Sequence, residues 1–154
     1  MAGRMYSATF EGVAVTAQQD FFEVNCPADA VVRIHEVHIT NGSDVDSEQI
    51  RIAIKRGATV SGSGGTTPTP GPLAFGDVAF GGTVEANNTT KANTGTIVTL
   101  HAEGVNILNG FHYIPTPESR IDLSPSQRLT VELLTTPLDS ISMSGTIIFE
   151  EIGG

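Results

Sequence analysis

Hydrophobic and polar residues alternate with a period of two along much of this chain, most clearly at its end. In residues 140–154, Ile141, Met143, Ile147 and Phe149 share one face, with Gly145 between them. Ser142, Ser144, Thr146 and Glu150 share the other face, and Ile148 is the exception. Just upstream, Leu129, Val131 and Leu133 alternate with Thr130 and Glu132. This period marks strands with one buried face. Thr136-Pro137-Leu138-Asp139 supplies a turn, with a proline that a central strand excludes. The pattern therefore predicts a terminal strand pair onto which the rest of the chain folds.

Similar runs recur upstream. Ile50, Ile52 and Ile54 alternate with Arg51, Ala53 and Lys55, and Val98, Leu100 and Ala102 alternate with Thr99, His101 and Glu103. Two runs change phase. Tyr6, Ala8 and Phe10 share a face but Val13 and Val15 take the other parity, which predicts a bulge near Glu11-Gly12. Val32 and Ile34 give way to Val37 and Ile39, which predicts a bulge at His35-Glu36 or a strand buried on both faces. No helical period is sustained, and only residues 118–127 leave room for a helical turn. Residues 1–9 read as a flexible N-terminal arm and residues 10–154 as one domain. Within it, residues 57–80 form a long Gly/Ser/Thr/Pro loop of the kind that is functional or ordered by a partner. The fold class expected is all-β: a single-domain β-sandwich, jelly-roll-like or β-tulip, of eight to ten short antiparallel strands with long loops.

Composition narrows the partners. The net charge is −9 and the densest basic pair is Lys55-Arg56, which argues against nucleic acid and anionic membranes. No run approaches the ~20 apolar residues of a membrane span, and residues 1–10 lack the apolar core of a secretion signal. These features lead us to expect synthesis in a host cytoplasm. The single cysteine, Cys26, excludes an intrachain disulfide and reads as a small buried residue with no basic neighbour to activate it.

Candidate chemistry is sparse. No Gly-x-Ser-x-Gly elbow is present, and the glycine run at residues 61–65 lacks the lysine of a phosphate loop. His35 and His38 are three apart and face opposite sides of a regular strand. A zinc site would need His101, which shares a face with Glu103, to meet one of them across strands. Asp44, Asp46 and Glu48 resemble the start of a calcium loop, but Gln49 and Lys55 stand where its glycine and final glutamate belong. With no tryptophan and two tyrosines, the chain is poor in platforms for sugar stacking. No catalytic, cofactor or metal residue is assigned.

The acidic β-rich chain, its Gly/Thr/Pro loop and the tail SPSQRLTVELLTTPLDSISMSGTIIFEEIGG (residues 124–154) resemble the head decoration, or cement, proteins of tailed bacteriophages. They also resemble the small capsid-associated proteins of marine and cyanobacterial phages. The resemblance implies a structural, non-enzymatic protein on the capsid surface of the virion. Such a protein is usually a homotrimer, binds the major capsid protein of the expanded head and stabilises it. It transfers no functional residue. The contact residues expected from the sequence are Met5, Tyr6 and Phe10 in the arm, ordering on the shell, and Leu73, Phe75 and Phe80 after the loop. These last three, with Val78, either dock the loop onto the core or form an exposed patch. Deleting residues 1–9 would then abolish capsid binding without lowering stability. The alternative function is a glycan- or calcium-binding β-sandwich module of a phage fibre or surface protein.

Overall fold

The computed structural model describes residues 3–154. Eleven strands are present: β1 (Arg4–Val15), β2 (Asp20–Asn25), β3 (Ala30–Asn41), β4 (Gln49–Ala58), β5 (Gly71–Pro72), β6 (Thr83–Asn88), β7 (Gly95–Asn106), β8 (Phe111–Tyr113), β9 (Asp122–Leu123), β10 (Arg128–Leu133) and β11 (Ile141–Gly153). The one helical turn is a 3₁₀ segment at Pro117–Ser119, at the edge of the window the sequence left open for it. Five strands run ten residues or more, longer than the short strands expected.

All pairings are antiparallel and form two sheets. One has the order β5-β1-β11-β3-β8, with β9 also on β3; the other has the order β6-β2-β10-β4-β7. Strands 1, 2, 3 and 4 alternate between the sheets, as do strands 7, 8, 10 and 11. That order is a jelly roll, with β5 and β6 inserted between its fourth and fifth main strands. The expected β-sandwich is thus present in its jelly-roll form.

Alternating residues from both sheets meet in one core. Val24, Ile50, Ile52, Ile54, Leu129, Val131 and Leu133 come from one sheet, and Ile34, Val37, Ile39, Ile141, Met143, Ile147 and Phe149 from the other. Each such side chain contributes about 1.5–3 kcal/mol on leaving water. The terminal pair expected from residues 127–154 is not a hairpin. β10 and β11 lie in different sheets, and β11 is the centre of its own, between β1 and β3. Both predicted bulges occur. The β1–β11 register shifts between Phe10 and Val13, where Gly12 takes φ +56°. The β3–β11 register skips His35.

The arm is a correction. From Arg4 onward residues 1–9 belong to β1, paired residue by residue with β11 from Arg4↔Glu151 to Thr9↔Thr146. Met1 and Ala2 lie outside the described residues. Tyr6 is fully buried, stacks on Phe149 and donates its hydroxyl to the Val78 carbonyl at 2.9 Å. A terminal segment that buries an aromatic and completes a sheet is not loose.

Residues 57–80 are laid down by the chain's own hydrogen bonds. Gly57 and Ala58 finish β4. Ser63 pairs with Thr90 and Thr66 with Ala86 along the outside of β6. Gly71 and Pro72 pair with Ser7 and Tyr6 on the outside of β1. The segment therefore covers part of the edge of each sheet on one side of the sandwich.

Candidate functional site

Three of the six expected contact residues are interior. Tyr6, Phe10 and Phe80 are buried in the core cluster, and Phe80 packs edge-on against Phe149 at 4.8 Å between ring centres. They hold the fold together and present no surface to a partner. Met5 is half-buried on β1. Leu73 and Phe75 are exposed, with Val78 beside them, and Phe75 has its whole side chain in solvent. Two hydrogen bonds to β1 clamp the ends of this loop: Leu73 N to Met5 O at 2.8 Å, and Tyr6 Oη to Val78 O at 2.9 Å. The tip is apolar and exposed, and its base is held by β1.

The second exposed apolar feature is β7. It pairs only with β4 and is the outermost strand of its sheet. The alternation in its sequence predicts burial of Val98, Leu100 and Ala102, yet all three are exposed. Two register shifts against β4, at Ile54/Lys55 and Arg56/Ala58, disturb the strand. Its opposite parity, His101, Glu103 and Val105, lies across from Ile54, Ile52 and Ile50, which point to the core. The facing sheet ends in the three-residue β8, too short to cover β7. His101 rests on the rings of Tyr113 and Phe111 at 4.8 and 6.0 Å. An open cleft of about 400 Å³ lies there, lined by Leu100, His101, Glu103, His112 and Tyr113.

The arrangement a zinc site would need, His101 meeting His35 or His38, does not assemble. His35 pairs with Glu150 at 3.0 Å, and His101 with its neighbour Glu103 at 3.4 Å. His38 meets His112 instead, with 2.8 Å between the Nδ1 atoms. Among the described residues no group of three or more His, Cys, Asp or Glu side chains is placed to hold a metal ion. Sequence reasoning passed over His112 because only the β3–β8 register sets it opposite His38.

The acidic loop is spent on the backbone. Asp44 accepts from Ser142 N at 2.6 Å and the buried Glu48 from Leu138 N at 2.7 Å. The Asn41 side chain, bonded to the amides of Ser43 and Asp44, shapes the turn. The buried Cys26 thiol faces the Ala30 carbonyl at 3.2 Å, and burial raises its pKa.

Sequence reasoning also missed a layer of buried charge on the outward face of the second sheet. Residues 59–63 and 89–94 roof this face, joined by the Ser63–Thr90 pair and the Thr59 N to Thr94 O bond. Beneath them, Asp20 accepts from Ala92 N at 2.7 Å. Glu23 accepts from Gly62 N at 3.0 Å and Asn88 Nδ2 at 3.1 Å. Gly62 is required there, because a Cβ would come within 2.4 Å of the Thr90 carbonyl oxygen. Burial pushes the Asp20 carboxyl up to about 6. Burial, reinforced by Glu85 across the strand pair, pushes Glu23 up to about 7. Glu132 behaves otherwise. Burial alone would raise it, but Lys55 at 2.7 Å and Lys91 at 2.6 Å outweigh that and hold it low. Perturbed carboxyls can mark active sites, but Asp20 and Glu23 are 1% and 0% exposed and no substrate reaches them as the roof lies. Two surface features combine exposed apolar residues with a fixed backbone: the β7 edge and the Phe75 loop. No family model matches the chain, and no curated protein matches it.

Proposed function

We propose that the protein is a structural, non-enzymatic component that decorates and stabilises an assembled shell, as its resemblance to phage head decoration proteins implies. The reading rests on one observation above all. β7 leaves Val98 and Leu100 exposed, at and beside a bulge, on a strand with β4 as its one ladder partner among the described residues. Such an edge accepts an added strand from a partner through main-chain hydrogen bonds, and side-chain pockets give specificity. The clamped Phe75 tip supplies a second anchor of the aromatic type that dominates interface energies. Many copies, each bridging neighbouring shell subunits, stabilise by mass action the lattice state they bind. A jelly roll by itself does not select this role, since the fold serves capsids, lectins and cupins alike. In this reading the partner is the major capsid protein of a phage head, and the working form is the homotrimer of the resembled family.

The test is copy number in gradient-purified particles from the source, relative to the major shell protein, with the mass of the free protein measured by sedimentation. Hundreds of copies per particle support the reading, and absence from particles overturns it. If copies are present, the paired change Val98→Lys with Leu100→Lys separates the surfaces. It is expected to abolish attachment while the thermal midpoint stays within a few degrees.

A further inference from the structure

Two surface histidines aim the same ring atom at each other. His38 on β3 and His112 on β8 are directly opposed in register. Their Nδ1 atoms lie 2.8 Å apart and their ring centres 5.1 Å apart. The far nitrogen of each ring faces an oxygen. His38 Nε2 is 2.9 Å from Glu36 Oε2, and His112 Nε2 is 3.3 Å from the Asn109 carbonyl. A carboxylate and a carbonyl only accept hydrogen bonds, so those contacts place the hydrogen of each imidazole on Nε2. Both Nδ1 atoms then present lone pairs to one another. At this separation they repel unless a metal ion sits between them or one ring moves its hydrogen to Nδ1 and donates it to the other.

An oxygen acceptor behind each ring is also what orients histidine ligands in metal sites and raises their basicity. We propose that His38 and His112 form a two-histidine site for a divalent transition-metal ion of the zinc, nickel or copper class. Both would ligate through Nδ1, with Glu36 and the Asn109 carbonyl holding the rings. Imidazole nitrogen favours these ions over calcium or magnesium. Tetrahedral zinc with bonds of about 2.0–2.1 Å needs its two nitrogens about 3.3 Å apart. The rings must therefore separate by about half an ångström, a small torsional adjustment for side chains at the surface. Thr146, opposite His38 on β11, is small and neutral and leaves the approach clear of positive charge. No third His, Cys, Asp or Glu among the described residues completes the set, so water or a group from a docked partner fills the other positions. The site is open and exchangeable.

Zinc chloride titrated into the ¹⁵N-labelled intact protein at neutral pH tests this. Histidine two-bond ¹H–¹⁵N spectra identify the ligating nitrogens, and competition with a chromophoric chelator gives the affinity. One ion per chain is expected, with the Nδ1 resonances of His38 and His112 shifting together while those of His35 and His101 stay in place. His38→Asn and His112→Asn should each weaken binding at least tenfold. Glu36→Gln, which alters only the group behind the ring, should weaken it about tenfold. Acidification should release the ion, because protons compete for the same lone pairs. Both rings lie on an outward face, so unchanged thermal midpoints in the absence of zinc will show that the variants fold. The proposal fails if millimolar zinc moves neither Nδ1 resonance, if only one histidine responds, or if binding survives both asparagine replacements. In any of these cases a hydrogen bond between the rings, and no metal ion, is what joins them.

Discussion

Glu23 supplies a direct test of the buried charge layer. Its side chain is fully buried. One carboxyl oxygen accepts two hydrogen bonds and the other makes none, with Arg128 Nε off to the side at 3.4 Å. Glu85 stands directly opposite on β6. Burial first, and Glu85 second, raise its pKa from 4.5 to about 7. The folded state therefore holds this proton over a range in which the unfolded chain has released it. The sign follows: the contribution to stability is fully present below the unfolded value and is lost as pH rises through the folded one. At about 1.4 kcal/mol per pKa unit, the cost between pH 4.5 and 8 is at most about 3 kcal/mol, and about 2 kcal/mol if water relaxes into the roof. Asp20, raised to about 6 chiefly by burial, adds a loss of the same sign over a lower range.

Glu23→Gln has the shape of the protonated acid, with an amide able to donate toward Glu85. It should match the natural protein in stability near pH 4.5 and exceed it by about 2 kcal/mol at pH 8. That gain is about 4–8 °C in thermal midpoint for a chain of this size. Urea unfolding at intervals from pH 4.5 to 8 measures both curves, with m-values checked for constancy. If the variant is less stable at pH 8, then Glu23 is ionised and usefully paired with Arg128, and the reasoning fails. An unchanged pH slope would refute it equally.

Other expectations follow from the same contacts. Deleting residues 1–9 should abolish the cooperative thermal transition, because it removes the part of β1 that pairs with β11 and buries Tyr6; a stable folded product would contradict the strand. Tyr6→Phe should cost about 1 kcal/mol in denaturant unfolding through loss of the bond to the Val78 carbonyl. Gly57→Ala should lower stability by about 3 kcal/mol or more, since φ is +101° and the new Cβ would lie 2.0 Å from the Thr96 carbonyl oxygen. Glu132→Gln should be destabilising above pH 5 by about 1–3 kcal/mol, because it leaves Lys55 and Lys91 without their shared carboxylate. Its effect should shrink on acidification, the reverse of Glu23, because a carboxyl held low contributes above its unfolded pKa and loses that contribution as pH falls.

Strand faces were legible wherever the buried side was apolar, as in β4, β10 and β11, and so were both bulges, because a slip in parity is written in the residues themselves. The parts that escaped depend on non-local partners. Tyr6 looked like an arm residue by its place in the chain, and only the pairing with β11 makes it core. Residues 61–72 have the composition of a mobile loop, and partners distant in sequence, among them Glu23, Ala86, Asn88, Thr90, Tyr6 and Ser7, fix them. Asp20 and Glu23 looked like outward polar positions, and they are; their burial comes from a roof more than thirty residues away in sequence. In β7 the alternation marks a strand but not its faces or its cover: a bulge at Leu100 puts Val98 and Ala102 on opposite sides, and periodicity does not show what lies over a strand.

That last case bears most on function. A sandwich has edges, and an edge left open invites pairing with other chains. Here the insertion after β4 covers part of the β1 and β6 edges, at Tyr6, Ser7 and Ala86, and on the far side β8 and β9 expose only three and two residues. β7 is the exception, twelve residues long with β4 as its one ladder partner. The usual protections are thin on it: its sequence GTIVTLHAEGVN has no lysine, arginine or proline, and the two register shifts against β4 are its main irregularity. The chain carries a net charge of −9. That charge favours a partner that presents a basic or neutral strand. A strand of this length without lysine, arginine or proline to guard its edge supports the proposal that β7 is a contact strand.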